Sequence, residues 1–297
     1  MSEKKVKNKL IVILGPTACG KTKLAVKLAN PYNGEIISAD SRQVYKGLDI
    51  GTGKDLKEYK NVPYHLIDVI SPKKQFSLAQ YQKLAYQAID SVLMRKKVPF
   101  LVGGTGLYLQ SIIDGYQLTN VKPDKELREQ LYKKSLKQLQ KLIKKYKIKL
   151  NQSDFNNKRR LVRVIEKAKS SSRLATRDSR LAKYDCLILG IKYPKEIINK
   201  RIDKRLIQRL EKEKMIGEVK KLHRQGVSWK RLEDFGLEYK WIALYLQKKI
   251  SYGEMVEKLK IAIHQFAKRQ ITWFKRMKNI IWIKNFYEAK KIIKKFI

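Results

Sequence analysis

The sequence predicts an α/β fold, a parallel β-sheet flanked by helices and interrupted by an all-helical insertion. Three observations carry that expectation. A short β-branched run at 10–14 ends in glycine and is followed at once by helical spacing. Further apolar runs then alternate with amphipathic helices, the pattern of right-handed βαβ units. After a lysine-dense, helix-only stretch from about 119 to 181, the apolar run YDCLILGI at 184–191 reads as a strand returning to the first sheet. The expected organisation is a core of 1–118 and 182–297 with a helical insertion at 119–181.

Taken in order, residues 10–14 form the first, buried strand. Residues 21–30 form a helix, with Leu24 and Leu28 at helical spacing, stopped by Pro31 and Gly34. Short strands follow at 35–38 and 65–70. Ser77 caps a long helix to 96 that carries Leu78, Tyr81, Leu84, Ala88 and Leu93 on one side. A strand at 99–102 runs into Gly103 and Gly104, and helix resumes at 107–113. Within the insertion, helices are expected at 124–134, from Ser135 to 146, and at 157–169, with a polar loop at 170–180. The remainder is mainly helical, with apolar and aromatic stretches at 229–245 and 253–275. A last strand at 280–283 precedes a terminal helix.

Composition narrows the class. The 297 residues suffice for one large domain or a core with a smaller insertion, and the 43% hydrophobic content argues against wholesale disorder. Lys and Arg number 68 against 27 Asp and Glu, a formal charge of +41 that makes a polyanion the first partner to consider. Two cysteines without a CxxC exclude a disulfide framework and a cysteine-based zinc module, and fit a reducing cytosol. The basic start MSEKK and the run at 10–14 do not make a signal peptide, because the run is short and leads into a phosphate motif. No stretch approaches the roughly 20 apolar residues of a membrane span. A soluble cytoplasmic monomer is expected.

Gly15, Pro16, Thr17, Ala18, Cys19, Gly20, Lys21 and Thr22 match G-x-x-x-x-G-K-[ST] between an expected strand and an expected helix. Converging backbone N–H groups, the positive end of the helix and the Lys21 ammonium would cradle phosphate oxygens. The Thr22 hydroxyl would ligate Mg²⁺. The core is therefore expected to be P-loop NTPase-like. Yet the strand at 99–102 ends in Gly103, Gly104 and Thr105, with no acid to hold Mg²⁺ as nucleotide hydrolysis requires. The nearest acid is Asp40, and the residues leave open whether it holds Mg²⁺ through water or acts as a general base.

Several stretches together resemble the tRNA dimethylallyltransferase family, the isopentenyltransferases that modify the adenosine next to the anticodon. They are GPTACGKT at 15–22, ISADSRQVYKGLDIGTGK at 37–54, PYHLIDVISPKKQFSLAQY at 63–81 and LVGGTGLYLQ at 101–110. NKRIDKR at 199–205, ISYGEM at 250–255 and AKRQITWFKR at 267–276 follow in the same order. The resemblance implies that the loop holds the diphosphate of dimethylallyl diphosphate, with Mg²⁺, instead of ATP. It makes Asp40 the general base toward the adenine amine, with Ser41, Arg42 and Gln43 lining the adenine site. Thr17 and Arg205 match groups that stabilise the diphosphate. Thr105, Arg128, Arg159, Arg160 and Arg163 match positions that contact tRNA, expected to be its anticodon stem-loop. Where family members carry an RxxGYR-like stretch, Glu233 to Lys240 here read EDFGLEYK, with acids in place of arginines.

Two other readings stand beside this one. A P-loop kinase with ATP as donor is disfavoured by the missing acid and the basic insertion. A non-catalytic RNA-binding protein is disfavoured by the intact Lys21, Thr22 and Asp40. Locally, Asp40 could cap its turn or pair with Arg42, and Arg201 and Arg205, four apart with Asp203 between, could form a solvated ion-paired face. The same holds for Arg159, Arg160 and Arg163. Cys19 is read as packing, and His65, His223 and His264 match no metal spacing. Trp241, Trp273 and Phe274 are read as core.

Overall fold

The computed structural model describes residues 8–118, 124–170 and 183–297, and the expected loop at 170–180 lies almost wholly outside them. The chain divides into two compact units, Met1–Ile113 with Ala182–Ile297, and Asp114–Leu181. The larger unit begins with β1 (Lys9–Leu14), α1 (Lys21–Ala29), β2 (Gly34–Ala39), β3 (Tyr64–His65), α2 (Leu78–Met94), β4 (Val98–Gly103) and α3 (Gly106–Ile113). The smaller unit holds α4 (Lys125–Lys133), α5 (Leu136–Lys145), α6 (Gln152–Phe155) and α7 (Lys158–Lys169). The larger resumes with β5 (Asp185–Ile191), α8 (Lys195–Glu211), α9 (Met215–Arg224), α10 (Trp229–Phe235), α11 (Leu237–Leu246), α12 (Tyr252–Phe274), β6 (Ile280–Ile283) and α13 (Phe286–Phe296).

The six strands form one sheet in the order β3-β2-β4-β1-β5-β6, and every pairing is parallel. β1 is central and buried on both faces, which is why it reads as a continuous apolar run. Its side chains alternate between two cores. Ile11 and Ile13 join α1, α8, α9 and α11 on one face. Leu10, Val12 and Leu14 meet Tyr81, Ala85 and Ile89 of α2 and Leu109 and Ile112 of α3 on the other. Burying each such aliphatic side chain contributes about 1.5–3 kcal/mol. Ser77 closes a capping box with Gln80 at the start of α2, and Ser251 does the same with Glu254 for α12.

The expected strand at 65–70 is only two residues long. Leu66 and Asp68 both take positive φ (64° and 58°), which carries the chain out of extended conformation. Beyond β3, residues 68–70 bond the 43–46 segment through an isolated parallel bridge at Tyr45 and Ile70 instead of a continuing strand. The apolar stretch at 229–245 is likewise two helices, broken where Gly236 adopts φ 71°.

The smaller unit has its own core of Leu131, Leu139, Ile143, Leu161, Val162 and Ile165. Glu166 is buried against that core and is held by Arg128 through two 2.9 Å hydrogen bonds, by Arg163, and by the Asp124 N–H at 2.7 Å. Burial would raise its carboxyl, but the two arginines outweigh it and hold the group below the usual carboxylate range.

On β2, Glu35 is 2% exposed and accepts from Lys97 at 2.8 Å, Arg95 at 2.7 Å and His65 at 2.6 Å. Burial pushes its carboxyl up, but hydrogen bonds from Lys97, His65 and Arg95 more than compensate and lower it to about 2. A folded-state value below the ordinary 4.5 means that the stabilisation is complete above pH 4.5 and is lost as pH falls toward 2. Replacing Glu35→Gln is expected to cost roughly 3 kcal/mol at pH 7 in urea unfolding, with the difference from wild type shrinking as the pH is lowered through that window.

Candidate active site

The ends of three neighbouring strands build the site. In the sheet, Leu14 and Ala39 both pair with Gly103, so the loops leaving β1, β2 and β4 start at one level. A cavity of about 270 Å³ opens above them.

The loop after β1 reaches α1 through Ala18 and Gly20, both at positive φ (62° and 79°). No acid and no side-chain cap occupies the start of α1, so its first N–H groups face the cavity. Lys21 Nζ donates 3.2 Å back to the Pro16 carbonyl, a bond that an entering phosphate can replace. Thr17, Ala18, Gly20, Lys21 and Thr22 line the cavity. Gly15, Pro16 and Cys19 do not. Cys19 is buried beneath Gly15, where a Cβ would lie 2.6 Å from its sulfur.

Arg205 of α8 donates 2.5 Å to the Thr17 hydroxyl and lines the same cavity. Burial and the neighbouring Arg209 push its guanidinium down, to about 10, with Glu238 and Asp55 pulling it back. It is a cation short of compensation, and an anion in the cavity would relieve it. The solvated ion-paired face read from the 201–205 spacing is not what forms. Asp203 binds His264 at 2.9 Å, and Arg201 lies 4.2 Å from the centre of the Tyr193 ring.

Asp40 follows β2 and also lines the cavity. Its Oδ1 accepts the N–H groups of Arg42 at 2.9 Å and Gln43 at 3.4 Å, which caps the turn. Among the described residues, none hydrogen-bonds its second oxygen. The Arg42 guanidinium goes elsewhere, 2.5 Å to Glu238, whose side chain is almost completely buried. Burial opposes both charges of this pair, yet each holds the other ionised: Arg42 is raised and Glu238 lowered. Gln43 accepts from Ser38 at 3.0 Å and donates to the Gly53 carbonyl at 3.0 Å. Thr105 Oγ1 accepts the Ser41 N–H at 3.1 Å, and the Thr105 N–H donates 3.1 Å to Ala39. Thus the turns after β2 and β4 are stitched together.

Residues that sequence reasoning did not single out hold this arrangement. Gln270 of α12 bonds the Thr17 N–H and the Gly104 carbonyl. Glu218 accepts three N–H groups, from Asp49, Ile50 and Gly51, and the Tyr239 hydroxyl. Lys54 is buried and reaches Tyr45, Asp49 and Asp68. Lys54 and Gln270 fall inside the stretches quoted above, but nothing local marks their partners.

The expected tRNA-contacting arginines of the insertion belong to the smaller unit. Arg128 and Arg163 grip Glu166, Arg160 pairs with Asp154, and Arg159 is exposed on α7. Among the described residues, no group of three or more His, Cys, Asp or Glu is placed to hold a metal, and no helix is long and apolar enough to cross a membrane.

Comparison with known proteins agrees with this architecture. A family model described as IPP transferase matches residues 43–277, and one described as isopentenyl transferase matches residues 8–62. The chain is 47% identical over 293 residues to tRNA dimethylallyltransferase 1 of Syntrophus aciditrophicus, covering 95% of this chain and 96% of that protein. It is 50% identical to tRNA dimethylallyltransferase 2 of Treponema denticola over 91% of this chain and 93% of the relative. The crystal structure of the full-length tRNA isopentenylpyrophosphate transferase from Bacillus halodurans superposes with a TM-score of 0.72 at 35% identity, covering 98% of this chain and 95% of that one. The all-parallel sheet, the loop at 15–22 and matches over nearly the whole length lead to one assignment: the chain belongs to the IPP transferase family, the tRNA dimethylallyltransferases.

Proposed function

We propose that this chain transfers a dimethylallyl group from dimethylallyl diphosphate to the exocyclic amine of the adenosine adjacent to the anticodon of tRNA, releasing pyrophosphate. The observation that carries the reading is the 2.5 Å Arg205–Thr17 bond over the phosphate loop, in the same cavity as Asp40 and without an acid at the end of β4. A phosphate-binding loop that faces a carboxylate and a partly uncompensated arginine suits departure of a whole diphosphate better than transfer of one phosphoryl group.

Allylic transfer builds positive character on the prenyl carbon and negative charge on the leaving diphosphate. Lys21, Arg205 and the N–H groups at the start of α1 surround the place where that negative charge grows. The amine nitrogen bonds to the carbon as the carbon–oxygen bond to diphosphate breaks, and the amine proton passes to the Asp40 oxygen not engaged in its turn. A positioned base of this kind contributes about a hundredfold or more. The target base must leave its stack to reach the cavity, where Arg42 and Gln43 line the wall to receive it and the bonded turns of Ser41 and Thr105 lie beside it.

The Thr22 hydroxyl offers the kind of hard oxygen donor that Mg²⁺ prefers, beside the start of α1. When bound there, Mg²⁺ would neutralise part of the diphosphate charge. The helical unit supplies phosphate contacts to tRNA through Arg159 and Arg160 first, because both are exposed on α7, whereas Arg128 and Arg163 are partly buried against Glu166.

Incubation with unmodified tRNA, Mg²⁺ and either dimethylallyl diphosphate or ATP, followed by mass spectrometry of digested nucleosides, should give prenylated adenosine only with the allylic donor. ATP consumption without that product would make the chain a kinase or nucleotide hydrolase. Asp40→Asn should lower turnover by about a hundredfold or more while tRNA affinity stays within about twofold; unchanged turnover would remove Asp40 from the chemistry. The double change Arg159→Ala and Arg160→Ala should weaken tRNA binding and reduce the slope of log affinity against log salt by about one to two, with KM for the diphosphate unaltered.

A further inference from the structure

Gln270 is distant in sequence from both sides of the cavity, yet its amide is used twice. Oε1 accepts the Thr17 N–H at 2.8 Å, and Nε2 donates to the Gly104 carbonyl at 2.9 Å. The residue is only 6% exposed and forms part of the cavity wall. Both partners are backbone groups on the loops that carry chemistry. Thr17 belongs to the phosphate loop and holds Arg205, while Gly104 precedes Thr105, which binds the turn of Asp40. A Cβ on Gly104 would lie 2.4 Å from Nε2, so the approach of this amide also depends on glycine there. One acceptor and one donor on a single flat group describes a primary amide, and asparagine is a methylene too short to reach both loops.

We propose that Gln270 is a positioning residue that sets the separation between the diphosphate donor and the amine acceptor by tying the 15–22 loop to the Gly104–Thr105 turn. This rests on the reading of 15–22 as the diphosphate holder and Asp40 as the base. The consequence is chemical as well as structural. Once the carbon–oxygen bond to diphosphate loosens, the allylic carbon takes whichever nucleophile stands in line. With the loops in register, the amine bonds to carbon, its proton goes to Asp40, and the electron pair of the broken bond leaves with pyrophosphate. With the loops apart, water bonds to the same carbon, its proton goes to solvent, and pyrophosphate leaves with a free allylic alcohol. Gln270 therefore governs the partition between transfer and hydrolysis, because reacting atoms must be held about 3–3.5 Å apart and aligned.

The test measures two products per pyrophosphate released, prenylated adenosine and dimethylallyl alcohol, for wild type, Gln270→Leu and Gln270→Glu. Leucine fills the volume without either bond; glutamate keeps an acceptor for Thr17 but loses the donor to Gly104. Both variants are expected to lose transfer by about a hundredfold, with the alcohol share rising several-fold and tRNA affinity retained. A parallel fall of both products, with the alcohol share as in wild type, would reduce Gln270 to scaffolding and overturn the proposal, as would unchanged transfer. Should the leucine variant fail to fold, the isosteric glutamate variant decides on the same criterion. If wild type itself makes no prenylated adenosine, the functional reading beneath the proposal falls with it, whereas a productive wild type with fully coupled variants sinks the proposal alone.

Discussion

The site depends on how closely β4 approaches β2. Gly103 pairs with Ala39 on one side and Leu14 on the other, and a Cβ at that position would lie 2.2 Å from the Ala39 carbonyl oxygen. Only glycine permits this approach. It brings the end of β2, and hence Asp40, to the same height as the phosphate loop leaving β1. It also lets the Thr105 N–H bond the Ala39 carbonyl and the Thr105 hydroxyl take the Ser41 N–H. A side chain at 103 would push the turns apart, and donor and acceptor would no longer share a cavity.

Around that contact the helices behind the sheet act as braces for loops. Glu218 of α9 gathers three consecutive N–H groups at 49–51, and Glu238 of α11 neutralises Arg42 in a buried pair. Removing Glu238 would leave the largely buried Arg42 guanidinium without its partner, and removing Glu218 would strip the buried Gly51 N–H and Tyr239 hydroxyl of their acceptor, each costing more than the net worth of the bonds themselves. Arg205 is the exception in this set. With Arg209 and Arg42 nearby, it carries charge that the protein does not fully balance, and the diphosphate proposed for this cavity would complement it.

Much of this was legible in the sequence because the relevant physics is local. A glycine-rich loop between a β-branched run and a helix is a contiguous signal, so Gly15 through Thr22 could be assigned their place from spacing alone. Asp40, Thr105 and the strands that carry them were also within reach. Two kinds of information were not. The third strand was overestimated because nothing in an apolar stretch reveals that Leu66 and Asp68 turn to positive φ. The braces were missed because Gln270, Glu218 and Glu238 meet the loops of the site across 166 to 253 residues of chain. The acids in EDFGLEYK, read as a departure from the family pattern, include Glu238, and its structural work is to hold Arg42 in the cavity wall. In the smaller unit, the family resemblance marked Arg128 and Arg163 as tRNA-contacting positions, but only the fold could reveal that both turn to Glu166.

The central claim is that the cavity above β1, β2 and β4 holds a whole diphosphate between the 15–22 loop and Arg205, with its prenyl carbon directed toward Asp40. A crystal structure with Mg²⁺ and a thio analogue of dimethylallyl diphosphate, which resists cleavage, examines this directly. The account predicts diphosphate oxygens on the N–H groups of the loop, Lys21 Nζ released from the Pro16 carbonyl, Arg205 on the diphosphate, and the allylic carbon facing the Asp40 carboxylate. A diphosphate bound outside the loop, or a prenyl group directed away from Asp40, would contradict it.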